Sequence, residues 1–217
     1  MNSEIASWDD RFAGEGFLFG TDPNAFLARS MDRLAPHSRV LAVADGEGRN
    51  GVWLAQHGHA VHSIEGSPTA VARAEQLATS RGVPLVASLD ELVPGSLLAE
   101  VGDVLDHGWP REAYDGVVAI FIQFAKPGAE RETLFAAMVE ALAPGGVLLL
   151  EGYTSKQLEY GTGGPKSLGH LYDESFLRMM MSHLTIESLT AYEAELQEGP
   201  GHSGLSAVID VVASRSI

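Results

Sequence analysis

The stretch Val40 to Ala55, VLAVADGEGRNGVWLA, carries an apolar run into a glycine turn that opens directly into a helical pattern. That order of strand, turn and helix makes a nucleotide-binding turn. Glycines let the backbone approach a ligand closely, and the helix start adds free N–H groups and a positive dipole end. Gly46, Gly48 and Gly51 also spell G-x-G-x-x-G, and Glu65 follows at the spacing of the ribose acid in a dinucleotide site. At the carboxyl end of the next strand, Glu65 is placed to accept hydrogen bonds from both hydroxyls of an unphosphorylated ribose. The plain alternative is a tight turn followed by an exposed acid.

Outward from the turn, β-branched apolar runs alternate with helical patterns, the signature of parallel βαβ units. Val40–Ala44 reads as the first strand, Asn50–His57 as the first helix and Ala60–Glu65 as the second strand. Ser67-Pro68 caps a helix through Ser80 that Gly82 closes. Over Val83–Gly95, Leu85, Leu89, Leu92 and Val93 suggest one short helical face. Leu97–Val101 is the third expected strand, Tyr114–Phe124 contains the fourth, and Val147–Gly152 is the fifth. Glu130–Ala143 is a helix stopped by Pro144-Gly145-Gly146, and Asp173–Met181 is another. The rhythm then breaks: Leu184–Leu196 and Leu205–Ala213 are strand-like runs joined by EGPGHSG, which predicts an antiparallel hairpin.

Composition narrows the function. A chain of 217 residues with 45% hydrophobic content suits one α/β domain with a well-filled core. A net charge of −15 argues against nucleic acid, whose binding rests on Lys and Arg, and against an anionic membrane surface. With no cysteine there are no disulfides, Cys-based zinc sites or thiolate nucleophile. The polar, acidic start MNSEIASWDD does not read as a signal peptide, and the expected location is the cytoplasm. His57, His59 and His62 form H-x-H-x-x-H without a carboxylate at a fitting distance along the chain, so no metal site is expected.

Further candidates lie past the strands. Asp103, just beyond the third strand, is placed to pair with an adenine amino group, although Asp106 and Asp115 look much the same. Gln123, Tyr153, Tyr160, His170 and His202 follow strands or sit in Gly-rich loops, where they face an incoming substrate; Gln123, Tyr160 and His202 are the catalytic candidates.

The segments ADGEGRNGVWLA, IEGSP, Gly102-Asp103, YDGVVAIFIQF and LAPGGVLLLEGY occur in the order of a class I S-adenosylmethionine-dependent methyltransferase, which the chain resembles over nearly its whole length. WDDRFAGEGFLFGTDPNAFL, QLEYGTGGP and GHSG resemble the tellurite-resistance/thiopurine methyltransferase-like branch more narrowly. The resemblance implies a Rossmann-like, seven-stranded, mostly parallel sheet with a C-terminal antiparallel hairpin and helices on both faces. It implies one domain over 1–217, with 1–30 as a cap over the cofactor site. S-adenosylmethionine is the implied cofactor and a small molecule the implied methyl acceptor, with no nucleic-acid or membrane partner. Asp45, Gly46, Glu47 and Gly48 would hold the methionine end, with Asn50 beside them. Glu65, Gly66 and Ser67 would hold the ribose, and Asp103 and Val104 the adenine. Residues 120–123 at the end of the fourth strand, Ile120 and Phe121 first, would lie beside the sulfonium and the incoming substrate, and Trp8 would help cover the site. Ala42 and Ala44 depart from the pattern, standing where many relatives have an acid and the first glycine. That departure leaves open a non-catalytic S-adenosylmethionine-binding protein; the literal glycine fingerprint separately leaves open an NAD-linked oxidoreductase, against which the Pro-Gly-Gly turn and the hairpin weigh.

Overall fold

Along β1 (Arg39–Val43) alternate side chains enter two different cores, as the period of a strand buried on both faces requires. Leu41 and Val43 join one core, with Ile64, Val117, Leu148 and Val211. Val40 and Ala42 join the other, with Val61, Val118, Leu149 and Val212. The computed structural model describes residues 3–106 and 108–217; Met1, Asn2 and His107 lie outside the described residues. The remaining strands are β2 (Ala60–Glu65), β3 (Leu97–Val101), β4 (Tyr114–Ile120), β5 (Leu142–Tyr153), β6 (Thr185–Gln197) and β7 (Ser203–Ser214). They form one sheet in the order β3-β2-β1-β4-β5-β7-β6. The pairs from β3 to β5 are parallel, whereas β7 runs antiparallel to both β5 and β6.

The helices are α1 (Ser3–Phe12), α2 (Ala25–Arg29), α3 (Arg49–Gln56), α4 (Pro68–Ser80), α5 (Ala129–Ala141) and α6 (Glu174–Met180). Residues of α2, α3 and α4 fill the core on one face, and residues of α5 and α6 fill the other. From β1 the chain winds outward to β2 and β3, then returns to the opposite side of β1 as β4. The crevice at this reversal, outside the carboxyl ends of β1 and β4, is where open α/β sheets bind ligands. The expected hairpin is present, so an antiparallel pair occupies the end of the sheet where a dinucleotide-binding fold continues in parallel.

Two expectations need correction. Residues 83–95 form no helical face: Leu85 bridges to Leu97, only Leu89–Glu91 makes a 3₁₀ turn, and Leu85 and Val93 are 42% and 55% exposed. The bridge to Leu97 holds the start of the segment extended, and Pro94 disfavours a helical Val93 before it. Pro144-Gly145-Gly146 does not separate α5 from β5 but lies inside β5 as a bulge. Pairing with β4 jumps there from Tyr114↔Leu142 to Gly116↔Val147.

Across β5 and β7, Glu151 stands opposite Asp210. Both are buried. The Asn24 amide donates to Glu151, the Tyr192 hydroxyl donates to it at 3.3 Å, and Arg29 pairs with Asp210. Burial and the neighbouring Asp210 push the Glu151 carboxyl well above the usual carboxylate range.

β1 leaves the sheet through Ala44, whose φ of 50° lies in the left-handed region that costs an L-residue about 1–2 kcal/mol. Ala44→Gly is therefore expected to stabilise the protein by about 1 kcal/mol. Thermal melts should show a rise of a few degrees in Tm.

Candidate active site

At the crevice lies a cavity of about 490 Å³, within the usual range for small-molecule sites. Asp45, Gly46, Arg49 and Asn50 line it from the β1–α3 turn, Glu65 and Gly66 from the end of β2, and Asp103 and Val104 from beyond β3. Ile120, Phe121 and Gln123 line it beyond β4, Tyr153 ends β5, and His202 comes from the β6–β7 turn. Trp8, Arg11, Phe12 and Phe19 close it from the N-terminal segment.

The three glycines of the turn do three different jobs. Gly46, at φ 58°, faces the Phe12 ring. Gly48, at φ 82°, precedes α3, and a Cβ there would overlap Ala74, so it sets how closely α3 approaches α4. Gly51 is helical, and its missing Cβ makes room for the Asp45 carboxylate. Asp45 accepts the Gly51 N–H at 3.1 Å and the Ser63 hydroxyl at 3.0 Å, while burial pushes its pKa up to about 7. Glu65 accepts the Gly46 N–H at 3.1 Å and the Ser67 N–H at 2.8 Å, tying the turn to the start of α4. Burial raises its pKa too.

The N-terminal segment is fastened by side chains. Asp9 of α1 accepts the Ser67 hydroxyl and the Thr69 N–H at 2.9 Å, bonds that hold its carboxyl below the usual range. Arg73 donates to the Gly14 and Gly16 carbonyls and pairs with Glu47 at 2.6 Å. An aromatic row then crosses the cavity. Trp8 stacks on Phe12 at 5.7 Å, Phe12 meets Phe19 at 6.1 Å, and Phe19 meets His202 at 4.3 Å. Beyond His202, Phe121 lies at 4.3 Å and itself stacks on Tyr153 at 4.6 Å. Phe121 holds a left-handed φ of 56°, a strained backbone of the kind that persists where the surroundings over-determine it.

Several of the expected site residues do not line the cavity. Glu47 accepts the Leu18 N–H at 2.6 Å and pairs with Arg73, so it anchors the N-terminal segment. Gly48 packs on α4, and Ser67 caps that helix by accepting the Ala70 N–H at 3.0 Å. Tyr160 donates its hydroxyl to Glu193 outside the cavity. Gln123 lines the cavity, but its amide is engaged: the oxygen accepts the Tyr153 N–H, and the nitrogen donates to the Tyr153 and His170 carbonyls at 2.9 and 3.0 Å. It holds two loops together, and a neutral amide is too weak a base to take a proton from an acceptor. His57 and His62 diverge, one beside the Trp53 carbonyl at 2.8 Å and the other between Tyr114 and Glu100, at 2.7 Å from each.

Arg49, like Arg11, Phe12 and Phe19, lines the cavity without a signal in the sequence. Its guanidinium pairs with Glu198 at 2.6 Å in a buried contact. Glu198 also accepts the Asn24 amide and the Ala25 N–H, both at 3.0 Å. Although burial opposes it, the His202 ring 3.9 Å away, the Arg49 guanidinium and the Ala25 N–H hold the Glu198 pKa down at about 2. Arg49 directly follows the glycines, and Glu198 opens the EGPGHSG turn; neither position announces the other.

Residues 40–146 match a protein family described as a methyltransferase domain. A structure from work on the conversion of a disulfide bond into a thioacetal group during echinomycin biosynthesis superimposes with a TM-score of 0.75. It is 22% identical and covers 98% of this chain and 91% of its own. The N-methyltransferase NodS from Bradyrhizobium japonicum WM9, in complex with S-adenosyl-l-homocysteine, gives 0.69 at 18% identity, covering 99% of each chain. TehB from Haemophilus influenzae gives 0.67 at 16% identity, covering 98% of this chain and 67% of its own. No curated protein matches the sequence. The fold is thus the Rossmann-like methyltransferase fold, with mostly parallel strands, an antiparallel C-terminal pair and helices on both faces.

Asp45 makes stability depend on pH. Its folded pKa lies above the ordinary 3.8, so between about pH 4 and pH 7 the folded state binds a proton that the unfolded chain has released, and stability falls as pH rises through that window. Asp45→Asn, which keeps a carbonyl for the Gly51 N–H, is expected to be more stable than the parent above pH 7 and to lose that advantage near pH 4. Denaturant titrations of both proteins across the window measure the difference.

Proposed function

We propose that this chain is an S-adenosylmethionine-dependent methyltransferase acting on a small-molecule acceptor. One observation carries the reading: the glycine turn, Glu65, Asp103 and the end of β4 converge on a single cavity in a domain that matches the methyltransferase family. The lining suits the cofactor. The Glu65 carboxylate takes backbone donors from Gly46 and Ser67 on its two oxygens and has acceptor capacity left for ribose hydroxyls. Gly46 leaves the turn open, and the aromatic row offers π faces to a sulfonium.

In this reading Asp45 takes the cofactor's amino group, Glu65 the ribose, Asp103 and Val104 the adenine, and Ile120 and Phe121 border the sulfonium. When bound, S-adenosylmethionine supplies an electrophilic methyl group for in-line displacement. The protein's part is to align the acceptor and exclude water. Trp8, Phe12 and Phe19 exclude water from above, and Gln123 fixes the backbone on which Tyr153 and His170 stand. His202 faces the acceptor half, kept neutral by burial. The N-terminal segment and the Gly-rich loop at 163–165 both border the cavity, which supports the narrower likeness to the tellurite-resistance/thiopurine branch. Among the described residues no helix is long and apolar enough to cross a membrane.

Calorimetric titration with S-adenosylhomocysteine, NAD and NADP tests the reading. Binding of the first alone is expected, and binding of only a nicotinamide cofactor overturns it. Glu65→Ala should weaken S-adenosylhomocysteine by about 1.5–3 kcal/mol, the contribution of a charge-assisted hydrogen bond. Unchanged affinity in the folded variant removes the ribose role.

A further inference from the structure

One side of the cavity holds three buried polar atoms that have no hydrogen-bond partner: Arg49 Nη1, the Tyr153 hydroxyl and His202 Nδ1. Their residues are only 5%, 1% and 7% exposed, and all three line the cavity. Leaving a buried polar group unpaired costs about 1–3 kcal/mol, more for a charged one, so three together in one wall call for a ligand.

The three are held in place together. Glu198 takes the other Arg49 nitrogen at 2.6 Å and lies 3.9 Å from His202 Nδ1, too far for a hydrogen bond. The Tyr153 and His202 rings meet edge to face at 5.8 Å. A Cβ at Gly164 would overlap the Tyr153 ring, and one at Gly163 would lie 3.4 Å from its hydroxyl, so the glycine loop closes directly onto this side chain. Each unpaired atom is able to donate: the guanidinium always, the phenol by its O–H, and the imidazole as its Nδ1–H tautomer, which the facing carboxylate favours.

We propose that Arg49, Tyr153 and His202 form the acceptor subsite of this cavity and bind an anionic group, a carboxylate or oxyanion, carried by the methyl acceptor. This rests on the methyltransferase reading of the cavity. Glu198 balances the guanidinium's charge, so selection falls to the three unpaired donors: a wholly apolar acceptor, or a cation with no acceptor atoms to offer, would leave all three unpaired. Position assigns the subsite to the acceptor. Glu65 and Asp103 mark the adenosine side at β2 and β3, whereas Tyr153 ends β5 and His202 belongs to the hairpin, on the opposite side of β4; Arg49 starts beside the cofactor turn but is held to the hairpin by Glu198. The cofactor's own carboxylate has the same chemistry, and the test separates the two sources.

Protein saturated with S-adenosylhomocysteine is titrated with three thiols of similar size: 3-mercaptopropionate, 2-mercaptoethanol and cysteamine, with anionic, neutral and cationic tails. The anionic thiol is expected to bind about tenfold more tightly than the others, the size of one charge-assisted contact. Tyr153→Phe should remove most of that preference while leaving S-adenosylhomocysteine affinity unchanged. Its Tm without ligand should stay level or rise, since an unpaired hydroxyl is gone. Arg49→Lys, which keeps a cation for Glu198, should act on the thiol in the same direction. Absence of a preference for the anionic tail overturns the subsite. Weakening of S-adenosylhomocysteine by Tyr153→Phe also overturns it, by assigning these donors to the cofactor. If the parent protein binds no S-adenosylhomocysteine, the methyltransferase reading itself fails, and the subsite with it.

Discussion

The ion pair between Arg49 and Glu198 joins parts of the chain that nothing in the βαβ rhythm brings together. Arg49 opens α3, beside the glycine turn, and Glu198 begins the turn of the C-terminal hairpin. Asn24 and Ala25 of the N-terminal segment bond to the same carboxylate. Three walls of the cavity therefore meet at one anion. Burying such a pair carries a desolvation penalty that its attraction scarcely exceeds, so its return is geometry more than stability. With Glu198 fully ionised and surrounded by donors, the hairpin turn is fixed over the cavity and His202 is presented to the aromatic row.

The same logic runs through the rest of the site. Side chains that look like ligand contacts when read along the chain serve to position the backbone: Gln123 joins the ends of β4 and β5, Glu47 fastens the N-terminal segment, and Ser67 starts α4. What faces the interior is a mixed surface of aromatic rings and a few charged groups shifted by burial, Asp45 and Glu65 among them. An aromatic cover over preset polar groups suits a reaction whose chief demands are alignment and dryness.

Where the information is local, it could be read from the residues. The β1–turn–α3 unit, the cap at Ser67-Pro68 and the closing hairpin each depend on neighbours within a few positions, and each forms close to its expected place. Over residues 83–95 the apolar spacing suggests a helix, but the bridge from Leu85 to Leu97 holds the start of the segment extended and Pro94 ends it. The glycine-loop setting of Tyr160 suggests a ligand contact, yet Glu193, on β6, draws its hydroxyl elsewhere. For Arg49 the converse holds. Its partner lies 149 residues away, so its burial and its unpaired nitrogen belong to tertiary structure alone.

The facing acids Glu151 and Asp210 bear on how the last strands find their place. Two like charges opposite each other in an antiparallel ladder are unfavourable on their own account. Here the Asn24 amide, the Arg29 guanidinium and the Tyr192 hydroxyl are arranged to meet them. Sliding β7 by one residue would turn every side chain to the other face, exchanging Asp210 for Ile209 or Val211 and sending a carboxylate into the core beneath α5 and α6. The pair thus works as a key for strand register: only one alignment of the hairpin satisfies it, and that alignment sets the EGPGHSG turn above the mouth of the cavity.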